Sequence, residues 1–173
     1  MNCAYYPPCK PVVGSMSSGA VGFTLIEVAT VLAVIGVLAA FGLPSFNYLI
    51  ATNRAKAAAS DLHAALIRTR SEALTRNVNV TLSPVGAGWV SGWQIAYGTT
   101  PVVVETYAAV KQGVTIANGP ASIVYQSSGR IQGSVAPAFL VTGSGLSNAQ
   151  RCVSVATSGR PYLKSLASGA TCP

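Results

Sequence analysis

The chain has 173 residues, of which half are hydrophobic and 9% charged, and it carries a net charge of +7. So many apolar residues and so few charges exclude a disordered chain. A single histidine, His63, and four acids, Glu27, Asp61, Glu72 and Glu105, leave too little for metal hydrolysis, paired-carboxylate catalysis or a histidine triad.

The first element is an apolar run from Phe23 to Leu43 whose only charge is Glu27. A helix of about 20 apolar residues spans a bilayer core, whereas buried helices of soluble proteins usually break after about 10–14. A secretory signal is also shorter and follows a cationic segment; here Lys10 is the only cation upstream. Pro44 is expected to interrupt the run, because proline lacks an N–H and crowds the preceding turn. The helix then resumes at Ser45 and runs to Arg76. Ala55, Ala59, Leu62, Leu66, Thr69 and Ala73 share one face, the period of a helix packed on one side. Arg54, Asp61, Arg68, Glu72 and Arg76 share another, with Arg68–Glu72 and Glu72–Arg76 at the spacing of helical ion pairs. Lys56, His63 and Arg70 form a third stripe, read as a solvated flank.

After Asn77 the pattern turns to short β-branched and aromatic segments separated by Gly, Pro, Ser and Asn. Strands are expected at Val78–Ser83, Trp89–Tyr97, Val102–Tyr107, Val114–Ala117, Ile123–Gln126, Ala138–Thr142 and Cys152–Ala156. Trp89, Trp93 and Tyr97 fall on one face of such a strand and read as core. One long helix followed by short strands gives an α+β fold: an N-terminal helix packed on a small antiparallel β-sheet head.

The junction Gly22-Phe23-Thr24-Leu25-Ile26-Glu27 resembles the processing site of type IV prepilins and type II secretion pseudopilins. Gly36 and Pro44 extend the likeness. The stretch from Ile123 to Arg130, the strand with Phe139, then Arg151-Cys152-Val153-Ser154-Val155 and Ser158-Gly159-Arg160 resemble the head shared by GspH pseudopilins and FimT- and FimU-like minor pilins. The resemblance implies three parts. Residues 1–22 form a leader removed by a prepilin peptidase, with Met1 or Met16 as the start. Residues 23–76 form the pilin helix, transmembrane over 23–43 in the inner membrane. Residues 77–173 form a periplasmic β-rich head. It implies cleavage after Gly22 and N-methylation of Phe23. It also assigns Glu27 to assembly, paired with the α-amino group of a neighbouring subunit. Loss of Lys10 with the leader lowers the charge from +7 to +6.

In the periplasm Cys152 and Cys172 read as a disulfide tying the tail to the last strand. The implied role is that of a minor pilin of a type IV pilus, with other major and minor pilins as partners; the alternative is a GspH-like pseudopilin of type II secretion. No enzyme activity and no cofactor are expected. Some FimT-like pilins bind DNA through a Gly-Arg-x-Arg motif in the tail. Here Gly159-Arg160-Pro161-Tyr162 keeps the first arginine only, so Arg160, Lys164 and Arg151 are the candidate DNA contacts.

Overall fold

The computed structural model describes residues 22–143, 150–167 and 169–172. The expected leader lies outside the described residues, except for Gly22. The chain divides into two compact units, Met1–Phe41 and Gly42–Pro173.

Helix α1 (Leu25–Arg76) has 52 residues. It continues through Pro44, where the sequence suggests an interruption. The ring fixes φ near a helical value, so a helix passes through proline at the cost of one backbone hydrogen bond and local crowding. Among the described residues no helix is long and apolar enough to cross a membrane. The expected span 23–43 includes residues 40–43, whose side chains lie outside the described ones. In the first unit Leu25, Ile26, Leu32 and Leu38 are all exposed.

The second unit contains the folded core. Ala55, Ala59, Leu62, Leu66, Thr69 and Ala73 are all completely buried, as their helical period predicts. Thr69, the polar member, is satisfied because its Oγ1 donates to the Ala65 carbonyl at 2.6 Å. Among the described residues eight strands follow: β1 (Val80–Pro84), β2 (Trp93–Tyr97), β3 (Val102–Tyr107), β4 (Val114–Ala117), β5 (Ile123–Tyr125), β6 (Ala138–Gly143), β7 (Gln150–Val155) and β8 (Pro161–Leu166). They make two sheets, not the single small one expected, in the orders β3-β2-β1-β5 and β4-β6-β7-β8. All pairings are antiparallel. Leu82 stands between Ile95 and Ile123 in the first sheet, and Phe139 faces Val153 in the second. Those residues, with Leu62 and Leu66 of the helix, belong to one hydrophobic cluster. Fully burying each such side chain is worth about 1.5–3 kcal/mol.

Trp89 departs from the expected strand. It opens a 3₁₀ turn, Trp89–Ser91, where its indole N–H donates to the Pro120 carbonyl at 2.7 Å. It meets Phe139 edge-on, with centroids 4.8 Å apart. Its role in the core stands; its place on a strand does not.

Two turns share one construction. In the turn after β5, Gly129 N–H donates to the Gln126 carbonyl and Gln126 N–H to that of Arg130, both at 2.8 Å. In the turn joining β7 to β8, Gly159 N–H donates to the Ala156 carbonyl at 2.7 Å and Ala156 N–H to that of Arg160 at 2.9 Å. Gly129 and Gly159 have φ of 74° and 83°, a region open to glycine at little cost. The turns also pack together: a Cβ on Gly159 would collide with the Gly129 carbonyl oxygen.

Gly159→Ala therefore meets two penalties, the left-handed backbone at about 1–2 kcal/mol and the collision. Gly86, with φ of 71° and only the Ser91 Cβ at 3.8 Å from an added Cβ, an ordinary contact, meets only the first. Urea unfolding should show Gly159→Ala clearly less stable than Gly86→Ala; equal losses would mean that the turns do not pack as described.

Candidate functional site

The expected assembly residues lie at the start of α1. Gly22 and Phe23 are exposed. Thr24 Oγ1 accepts from the Glu27 N–H at 3.3 Å, and a Glu27 carboxylate oxygen accepts from the Thr24 N–H at 3.5 Å. This reciprocal pair is a capping box, which satisfies donors that the first helical turn leaves open. It also places a negative charge at the positive end of the helix. The Thr-x-x-Glu spacing in the sequence is the signal for it.

At the other end of the chain, Cys152 and Cys172 form a disulfide with Cα atoms 5.4 Å apart. Cys152 belongs to β7, which is not the last strand: β8 follows it. Lys164 lies directly across from Cys152 and Tyr162 across from Ser154, so Tyr162 and Lys164 share the face that carries the disulfide. Arg160 places its guanidinium 5.3 Å from the Tyr162 ring centre, a cation–π contact. Arg151 stands opposite Ser165 and donates to its hydroxyl. It faces the other side of the sheet from Lys164. The structure thus brings together Arg160, Tyr162 and Lys164, and sets Arg151 apart.

The residue missed by sequence reasoning is Arg130. It follows Gly129 as Arg160 follows Gly159, and both arginines are exposed. The signal was the doubled Ser-Gly-Arg at 128–130 and 158–160. Arg70 of α1 approaches the first turn: its Nε lies 3.2 Å from where a Cβ on Gly129 would stand. That Nε is buried without a hydrogen-bond partner, as is the hydroxyl of Tyr125.

The head acids are occupied elsewhere. Glu72 pairs with Arg68 at 2.9 Å and Arg76 at 2.6 Å, and Glu105 approaches Arg68 at 3.7 Å. Arg76 also lies 4.6 Å from the Tyr97 ring centre. Asp61 lines a cavity of about 270 Å³ with Arg54, Trp93, Tyr107 and Lys111. Among the described residues no group of His, Cys, Asp and Glu is arranged to hold a metal ion.

A long helix whose C-terminal part shares a core with two antiparallel sheets is the arrangement of a pilin-like subunit. A family model described as type II transport protein GspH matches residues 58–159. The chain belongs to the GspH family. Its fold is similar to that of the type IV minor pilin FimU of Pseudomonas aeruginosa, with 18% identity, a TM-score of 0.58, and coverage of 65% of this chain and 89% of the other. It is also similar to the minor pseudopilin EpsH of the Vibrio cholerae type 2 secretion system, with 17% identity, a TM-score of 0.51, and coverage of 68% and 99%. No curated protein matches the chain.

The disulfide closes a separation of 20 residues, so Cys172→Ser should cost about 3 kcal/mol, read as a lower urea midpoint; an unchanged midpoint would show that the bond constrains nothing. Burial pushes the Tyr125 phenol well above its ordinary value, opposed only weakly by the Arg70 charge. The folded state then favours the neutral phenol, while the unfolded phenol ionises near pH ~10. This contribution to stability is complete below pH ~10 and declines above it. Tyr125→Phe should lessen that alkaline decline. It should cost little at neutral pH, because the hydroxyl it removes is buried and unpartnered.

Proposed function

We propose that this chain is a minor pilin, made as a precursor, cut after Gly22 by a prepilin peptidase, and methylated on the new N-terminal Phe23. Residues 23–43 hold it in the inner membrane, with the head in the periplasm, until it enters a filament of major and minor pilins. The observation that carries this reading is the position of Gly22-Phe23 and Glu27: the junction sits at the first turn of α1, one residue from its capping threonine. The exposed apolar side chains of the first unit support it, since a helix apolar all round needs lipid or other helices about it. Glu27 is then expected to leave its local cap and pair with the α-amino group of a neighbour, because an unpaired carboxylate in hydrocarbon costs about 2.5–3.5 kcal/mol on insertion scales.

Between the two filament systems, the disulfide-closed basic tail favours a type IV pilus over type II secretion. The family description and the EpsH likeness keep the secretion pseudopilin as the alternative. A second role, nucleic-acid binding in DNA uptake, is supported by Arg160, Tyr162 and Lys164, which stand near one another without a carboxylate in ion-pairing reach among the described residues.

Glu27→Ala introduced at the native locus tests assembly. The variant should still be processed and fractionate with the inner membrane, yet be absent from sheared filaments, with twitching motility lost and protein secretion intact. Normal incorporation would overturn the role of Glu27. Lost secretion with intact twitching would assign the chain to the secretion system.

A further inference from the structure

The doubled Ser-Gly-Arg turn has a consequence that neither turn has alone. One turn follows β5 of the first sheet, and the other joins β7 to β8 of the second. Their identical hydrogen-bond closure and the near contact of Gly129 with Gly159 stand two equivalent crests against each other. Arg130 and Arg160 therefore leave from matched positions on neighbouring crests, both exposed. Arg70 adds a third guanidinium from α1, with its Nε buried, unpartnered and close to Gly129.

The charge around this junction is one-sided. Glu72 and Glu105 pair with Arg68 and Arg76, and Asp61 lines a separate cavity with Arg54. No carboxylate reaches ion-pairing distance of Arg70, Arg130 or Arg160 among the described residues. Gathering like charges without a counter-charge destabilises a fold, and burying an N–H donor without a partner adds to the cost. An anion at the exposed arginines would offset the first. Lys164 extends the cationic surface along β8, on the face of Tyr162, so the positive charge exceeds what one small anion could use. Arginine is suited to phosphate oxygens because its planar fork donates two parallel hydrogen bonds.

We propose that the paired turns form a phosphate cradle for a nucleic-acid strand, with Arg130 and Arg160 on neighbouring phosphates and Arg70 supporting the first turn from beneath. This rests on the nucleic-acid reading above. It enlarges that site from the tail strand to both turns, so that the interface draws on both sheets and the helix.

The experiment uses the full chain in an uncharged detergent and a fluorescein-labelled single-stranded oligonucleotide, read by anisotropy over a salt series. Each phosphate contact contributes a slope of about 0.7 in log affinity against log salt for a single strand. Arg130→Gln and Arg160→Gln should each weaken binding several-fold and each lower that slope by about 0.7. Lys111→Gln, at a lysine lining the separate cavity, should bind as wild type does. If Arg160→Gln and Lys164→Gln weaken binding while Arg130→Gln does not, the cradle is overturned and the tail site stands. If the wild type fails to bind even at about 50 mM salt, where phosphate contacts count for more, the nucleic-acid reading itself falls. Binding to phosphatidylglycerol vesicles without oligonucleotide binding would overturn the proposal in favour of a lipid surface.

Discussion

The head depends on one packing constraint: a single face of α1 is shared by two sheets. Ala55, Ala59, Leu62, Leu66, Thr69 and Ala73 present no exposed surface, and the cluster that the apolar ones join draws Leu82 and Ile95 from one sheet and Phe139 and Val153 from the other. Neither four-stranded sheet has a core of its own. Each buries one face only because the helix and the opposing sheet cover it. The aromatic contacts follow from that arrangement. Trp89 leaves the first sheet in a 3₁₀ turn and meets Phe139 of the second. Gly129 and Gly159 make a second junction between the sheets, through backbone instead of side chains.

The same constraint sorts the charges. A helix with one face buried has two flanks, and here they differ. Along one, Glu72 is held nearly buried between Arg68 and Arg76, and Glu105 of β3 approaches the same Arg68. Partly buried, hydrogen-bonded pairs of this kind lose more when one partner is removed than exposed pairs do. Toward the turns, Arg70 has no carboxylate in ion-pairing reach among the described residues, and its neighbours Arg130 and Arg160 add charge of the same sign. A basic net charge in the sequence thus becomes an uneven distribution: neutralised beside β2 and β3, unopposed at the turns and β8.

Much of this was legible in the residues. The buried helix face could be read position by position because a long helix repeats its period enough times to reveal it. Most strands were legible for the same reason, since one face is buried and alternation survives, as in β6. Strand β8 was not legible. Its residues are mostly exposed on both faces, so no alternation marks it, and Pro161 argues against a strand; yet proline is tolerated at the first position of an edge strand. Trp89 was misplaced because its apolar, aromatic character fits a strand or a packed turn equally well. The candidate arginines illustrate a further limit. Arg151 and Lys164 look equivalent in a basic tail, but strand register puts them on opposite faces. Arg130 looks unrelated to the tail, but the turn contact brings it beside Arg160. The first depends on the register of a strand that no alternation marks, and the second on a contact between turns far apart in sequence, neither of which local pattern carries.

The capping box gives the glutamate of the proposed processing junction a partner within its own chain. A glutamate inside an apolar run looks like a pure cost, to be recovered only when a partner arrives. At the third position of α1, however, the carboxylate accepts from the Thr24 N–H while the threonine hydroxyl accepts from the glutamate N–H. The helix N-terminus supplies donors and partial positive charge that a carboxylate can use without any neighbour. On the proposed reading, a free subunit can therefore partly satisfy the Glu27 carboxylate with its own first turn. The contact with Thr24 is long, so a new α-amino group that offers both a full charge and shorter hydrogen bonds displaces it at modest cost. Local capping and filament assembly then compete for one carboxylate. The weaker of the two keeps the subunit stable while it waits, without opposing the stronger when it comes.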